Sequence, residues 1–203
     1  MTPEYYEKIN QNRLLHQRGK QHVGRTRRYR AQLQYIVTQT ASKTLLDWGC
    51  GKGQQWKKPI ESETGQPLLQ EYLGLEKITC YDPAVEEYST FPSEEVHDLV
   101  ICTDVLSLIP EADIPWVFQQ LRLRCGRALY LVIESDLIQS KKVYPDKTLK
   151  QVTVKSRDWW IQTCQRSANW HGITTYWKWC EDGRIPGELP IAITFDPSGQ
   201  MIK

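Results

Sequence analysis

Lys43-Thr-Leu-Leu-Asp-Trp-Gly-Cys-Gly-Lys-Gly53 is the stretch that decides the fold. Lys43 to Trp48 reads as a short buried strand, and it runs straight into a loop with glycine at every second position. Glycine has no Cβ, so such a loop can turn tightly and let another group approach closely. In the dinucleotide fingerprint the third glycine comes one residue later, and pyrophosphate sits at a helix N-terminus. Here the third glycine is early, and Asp47 precedes the first by two residues. The loop suits a ligand without a diphosphate.

Working outward, Tyr29, Leu33, Ile36 and Val37 have helical spacing over residues 29–40. A helix from Gln54 is cut short by Pro59. Leu75 to Asp82 reads as a second strand stopped by Pro83, and His97 to Asp104 as a buried strand of the parallel-sheet kind. Pro110 to Cys125 has an apolar helical face, and Ala128 to Glu134 is a further strand. Ser156 caps a helix over Asp158 to Ala168. Ile173 to Trp179 and Pro190 to Phe195 are β-rich and have no helix pattern between them.

Strands alternating with helices predict an α/β fold: a Rossmann-like, mostly parallel sheet with helices on both faces and an antiparallel C-terminal strand pair. Ligands of such sheets lie beyond the carboxyl ends of the strands. Asp47, Asp82 and Asp104 all fall there.

The order of these motifs resembles class I S-adenosylmethionine-dependent methyltransferases, whose first motif is an acid followed by GxGxG. Cys80-Tyr-Asp-Pro83 is similar to the second motif, with its acid ending strand two. Asp98-Leu-Val-Ile-Cys-Thr-Asp-Val-Leu-Ser-Leu-Ile-Pro110 is similar to the fourth-motif region. Val152-Thr-Val-Lys-Ser-Arg-Asp-Trp-Trp160 resembles a subgroup of small bacterial and phage enzymes. The resemblance covers about Leu14 to about Trp160.

It implies S-adenosylmethionine as cofactor. The backbone of Gly49, Cys50, Gly51 and Gly53 would line the methionine part, with Asp47 near its amino group. Asp82 would accept from the ribose hydroxyls, flanked by Tyr81 and Pro83. Asp104 and Val105 would sit at the methionine end, by the entrance for substrate. Two departures stand out. Ala84 to Val96 is too short for a full helix–strand–helix, so the usual third strand is missing or reduced to a stub around Ser89 to Pro92. Ser107-Leu108 stands where relatives often carry Glu-His, and leucine cannot take a proton.

Methyl transfer mainly requires alignment of the acceptor, helped by a general base when the acceptor is a hydroxyl or a protonated amine. Asp104 and Glu134 are the first choices for catalytic residues, and His16, His22, Tyr144 and His171 are further candidate bases. The expected acceptor is a small molecule or glycan, because no recognition domain is appended. The alternatives are a nucleic acid or a catalytically inactive cofactor-binding protein. An Asp/Asn-Pro-Pro-Tyr-like motif, usual in amino-methylating DNA enzymes, is replaced here by Thr103-Asp-Val-Leu-Ser-Leu108.

Bulk properties agree with one domain. The chain has 203 residues, 40% of them hydrophobic and 25% charged. Six scattered cysteines form no C-x-x-C pair, so reduced thiols and no metal are expected. No apolar run suggests a membrane span, and the polar N-terminus lacks a secretory pattern, so a cytoplasmic location is expected. The net charge is +2, but residues 1–30 hold eight Lys/Arg against Glu4 and Glu7. This basic segment, residues 1–28, is a candidate lid over cofactor or substrate, with residues 29–203 forming the core. The eight tryptophans offer a stacking platform, although such residues more often serve as packing.

Overall fold

The computed structural model describes residues 1–17, 26–60, 67–93, 95–134, 152–180 and 188–202. The chain forms helix α1 (Pro3–Gln17), helix α2 (Arg30–Thr40), strand β1 (Thr44–Trp48) and short helices α3 (Gln54–Lys57) and α4 (Leu69–Leu73). Then come strand β2 (Lys77–Tyr81), strand β3 (His97–Thr103), helix α5 (Ile114–Leu123) and strand β4 (Cys125–Glu134). Helix α6 (Arg157–Ser167) and strands β5 (Thr174–Cys180), β6 (Ile191–Phe195) and β7 (Met201–Ile202) complete it.

The seven strands form one sheet in the order β2-β1-β3-β4-β5-β6-β7. Pairing is parallel from β2 through β5; β6 and β7 are antiparallel additions. The fold is therefore α/β with a mostly parallel mixed sheet and helices on both faces. One face packs Leu45, Leu99, Ile101 and Tyr130 against α2, α3 and α4, through Leu33, Ile36, Trp56 and Leu69. The other packs Leu46, Val100, Leu129 and Leu131 against α5 and α6, through Val117, Phe118, Leu121 and Trp160. All but Trp56 of these side chains are completely buried, each stabilising by about 1.5–3 kcal/mol. Trp177 and Trp179 stack at 5.5 Å inside the second layer, so these two act as packing.

Chain order reverses between β1 and β3: β2 lies on one side of β1, and β3, β4 and β5 follow on the other. That is the switch point where a crevice opens beyond the strand ends. Residues 82–93, 95 and 96 hold a 3-10 turn at Glu86–Tyr88 and no strand among the described residues, so β2 is an edge of the sheet.

Several elements differ from the sequence reading. Helix α1 lies in the segment expected to precede the first helix. Its apolar residues are too sparse to form a stripe, so periodicity could not reveal it. It is held instead by its ends and by Tyr5, buried against Trp116. The helix expected over Pro110 to Cys125 starts at Ile114, after a 3-10 turn at Glu111–Asp113, and stops at Leu123. Cys125 already pairs with His97 in β4, a pairing that a sequence pattern does not register. Helix α4 and strand β7 are too short to carry a period. Among the described residues no helix is long and apolar enough to cross a membrane.

Candidate functional site

The loop after β1 turns because all three of its glycines adopt positive φ: Gly49 at 84°, Gly51 at 58° and Gly53 at 60°. What approaches them closely is the protein itself. A Cβ on Gly49 would lie 2.3 Å from a methyl of Val105, and one on Gly53 would lie 2.8 Å from the Tyr88 hydroxyl. Val105 thus closes over the loop from the far side of the switch point.

The loop amides are turned inward. Gly49 and Cys50 N–H donate to the Tyr81 carbonyl at 2.7 and 3.1 Å, and Gly53 N–H donates to the Cys50 carbonyl at 3.1 Å. Gly51 N–H donates to Asp82 Oδ2 at 2.9 Å. An anion cradle needs free N–H groups pointing at the ligand, and here four are engaged. Helix α3 is too short to supply an anion site of its own.

Acids, in contrast, stand at the carboxyl ends of the three strands β1, β2 and β3. Asp47 is the penultimate residue of β1 and is completely buried. Its Oδ2 accepts from Trp56 Nε1 at 2.8 Å and Gln55 Nε2 at 3.0 Å, while Oδ1 has no partner among the described residues. Burial raises its pKa to about 6, against the lowering effect of those two donors.

Asp82 follows β2 and is half-buried. Besides Gly51 N–H on Oδ2, its Oδ1 accepts from Ala84 N–H at 2.9 Å. Burial raises its pKa, opposed by those two amides and by the charge of His16. Each oxygen retains acceptor capacity, because a carboxylate oxygen offers two lone pairs.

Asp104 follows β3 at φ 60°, a conformation rare for a side chain other than Asn or Asp and found at strained functional positions. The Tyr29 hydroxyl donates toward both of its oxygens, at 3.0 and 3.1 Å. Tyr29 opens α2, is buried, and also lies 3.4 Å from Cys180 Sγ. Burial, with the charge of Asp104 beside it, pushes the Tyr29 phenol far up, so it stays protonated and a donor. Thr26 reaches Thr103 at 3.2 Å beside it. Nothing in the sequence singled out Tyr29 beyond its helical spacing; its hydroxyl was missed because 75 residues separate it from its partner.

Comparison with known protein families, curated proteins and solved structures finds no match to this chain.

The remaining expected site residues are distributed as follows. Cys50 is completely buried, with its thiol directed to the Gly51 carbonyl at 3.3 Å. Tyr81 is buried among Trp48, at 4.5 Å between ring centres, and Phe91, at 5.4 Å. The Pro83 carbonyl accepts from Arg13 at 3.1 Å. Glu134 closes β4 opposite Cys180; its side chain lies outside the described residues, as do His22 and Tyr144. His171 is exposed beyond α6. Arg13 and Arg27 of the basic segment bond backbone carbonyls, Arg27 those of Gln55 and Lys58. Arg18, Lys20 and Arg25 lie outside the described residues.

Proposed function

We propose that this chain is an S-adenosylmethionine-dependent methyltransferase acting on a small-molecule or glycan acceptor. The observation that carries the reading is the polarity of the crevice. Asp47 and Asp82 lie at a glycine loop whose own amides already have partners, and Asp104 stands next to Val105, which packs on that loop, so the site favours a ligand that donates hydrogen bonds or bears positive charge. S-adenosylmethionine does both, through its ammonium, its sulfonium and its ribose hydroxyls. A dinucleotide would bring a diphosphate to a loop that has few amides left for it.

The residues fit that cofactor. Asp82 has spare acceptor capacity for a vicinal diol. Asp47 Oδ1, without a partner among the described residues, offers negative charge behind the loop, close to where a ligand ammonium would lie. Both carboxyls have raised pKa values, so a bound cation relieves a cost of burial. Bound there, S-adenosylmethionine supplies an electrophilic methyl group. Asp104, pinned by Tyr29, takes the proton that a hydroxyl or ammonium acceptor releases, and Leu108 leaves that role to it. The fold reading that goes with this function is a Rossmann-like sheet whose third strand is missing.

Calorimetry with S-adenosylhomocysteine tests the reading. Wild type should bind it, and Asp82→Ala should bind at least tenfold more weakly, the loss of charge-assisted hydrogen bonds at about 1.5–3 kcal/mol. No binding by folded wild type rejects the proposal. Binding without methyl transfer to any acceptor in a broad screen would favour an inactive cofactor-binding protein.

A further inference from the structure

Strand β5 carries a lysine where the sequence pattern promised only packing. Lys178 is 4% exposed. Alternate strand positions share a face, so it lies with Tyr176 and Cys180 on the side of the sheet packed by α2. Its Nζ donates to the Glu188 carbonyl at 2.8 Å, and Gln32 Nε2, from the first turn of α2, donates to the same oxygen at 3.3 Å. An ammonium has three donors, and no other described residue takes the remaining two. Burial lowers the Lys178 pKa; the charge of the exposed Glu188 opposes this without forming an ion pair. Two neighbouring groups are also incomplete: Gln32 Oε1 and the Tyr130 hydroxyl are buried and have no partner among the described residues. Tyr130 packs edge-on to Tyr29, with ring centres 6.3 Å apart. The Tyr29 hydroxyl in turn lies between Asp104 and Cys180. Cys180 stands two residues beyond Lys178, about 7 Å along the strand. Lys178 and Asp104 thus belong to one polar layer under the start of α2.

We infer that Lys178 anchors an anionic group of the methyl acceptor, a carboxylate or a phosphate, with Gln32 beside it and the acceptor's nucleophile toward Asp104. This rests on the cofactor reading above and narrows its acceptor to a charged class. Buried polar groups nearly always find partners, so three incomplete ones in a single layer call for a ligand. The cation weighs most. A buried ammonium without a counter-charge is costly, and a methionine of similar shape would fill the space at no such cost. A neutral sugar accepts hydrogen bonds but leaves that charge uncompensated; an anion supplies both. The charges along the sheet also complement the two reactants. Asp47 and Asp82 suit a cationic cofactor at β1 and β2, and Lys178 suits a partner of opposite sign at β5.

The experiment is calorimetry on the full chain saturated with S-adenosylhomocysteine. The probes are inorganic phosphate and acetate, with chloride holding the ionic strength constant. Wild type is compared with Lys178→Met, which keeps the shape, and with Lys178→Arg, which keeps the charge. Wild type should bind at least one of the anions, and the tighter of them tells a phosphate from a carboxylate. Lys178→Met should lose roughly tenfold or more of that affinity, and Lys178→Arg should regain part of it. The unfolding temperature of Lys178→Met should stay level or rise, and affinity for S-adenosylhomocysteine should be the same in all three. No anion binding by wild type, or equal binding by Lys178→Met, overturns the anchor and leaves the cofactor reading standing. A markedly lower unfolding temperature in Lys178→Met with unchanged anion affinity marks a structural cation and overturns it too. If wild type does not bind S-adenosylhomocysteine, the titrations are run without it. Lys178-dependent anion binding then keeps the anion site, while its role as acceptor anchor falls with the cofactor reading.

Discussion

At the residue scale, Gly49 is the position with the least freedom to change. Its φ of 84° disfavours any side chain, and a Cβ would overlap a Val105 methyl at 2.3 Å. Left-handed backbone costs about 1–2 kcal/mol and overpacking about 1–3. Gly49→Ala should therefore lower stability by about 3 kcal/mol, a fall in Tm of roughly 6–12 °C for a chain this long. Adding Val105→Ala should recover the packing share and leave the backbone share; a double variant no more stable than the single would refute the overlap. Asp47 makes a pH-dependent prediction. Its folded pKa of about 6 exceeds the ordinary 3.8, so the folded state binds the proton more tightly than the unfolded chain. Its contribution to stability is then fully present below about pH 3.8 and is lost as pH rises through 6, by about 3 kcal/mol in all. Asp47→Asn removes this slope. Thermal unfolding between pH 4 and 7 should show the variant gaining on wild type as pH rises; a constant difference would contradict the raised pKa.

At the scale of elements, the ends matter more than the middles. Helix α6 begins where Ser156 Oγ accepts from the Trp159 N–H at 3.2 Å, so the cap read in the sequence is made. Ser156→Ala should cost about 1 kcal/mol, visible as a Tm lower by roughly 2–4 °C. Ser156→Asp should restore most of it; failure to do so would argue against the cap. The same segment is stitched to the crevice, since Val152 and Thr153 N–H both donate to the Ser107 carbonyl at 2.9 and 3.1 Å. Thr153 Oγ1 adds a bond to the Ile109 carbonyl at 2.6 Å. These contacts hold residues 107–109, next to Asp104, from a distance of more than forty residues. Helix α1 behaves differently: its middle is only half-buried, with Ile9 against the core, and Asp113, Trp116 and Pro83 grip its two ends.

At the scale of the molecule, strands β1 to β4, the mostly parallel class of their sheet and the short helix α3 follow from strings that can be read along the chain, whereas the strand order β2-β1-β3-β4 is decided only by the tertiary structure. Period-2 and buried runs mark strands, Pro59 stops a helix, and alternate glycines mark a turn. The three strand-end acids were legible for the same reason: each follows an apolar run directly. What the string could not yield is anything made by residues far apart. The inward-facing loop amides depend on β2 lying beside β1. The Tyr29–Asp104 contact depends on α2 packing on the sheet face formed by β1, β3 and β4, and the Arg13–Pro83 contact depends on α1 lying beside the loop after β2. Local patterns determine which residues become strand, turn or helix, because those choices are set by neighbours along the chain. Which polar groups are left with an unmet hydrogen bond is decided only once distant segments meet, and that remainder is what a ligand can use.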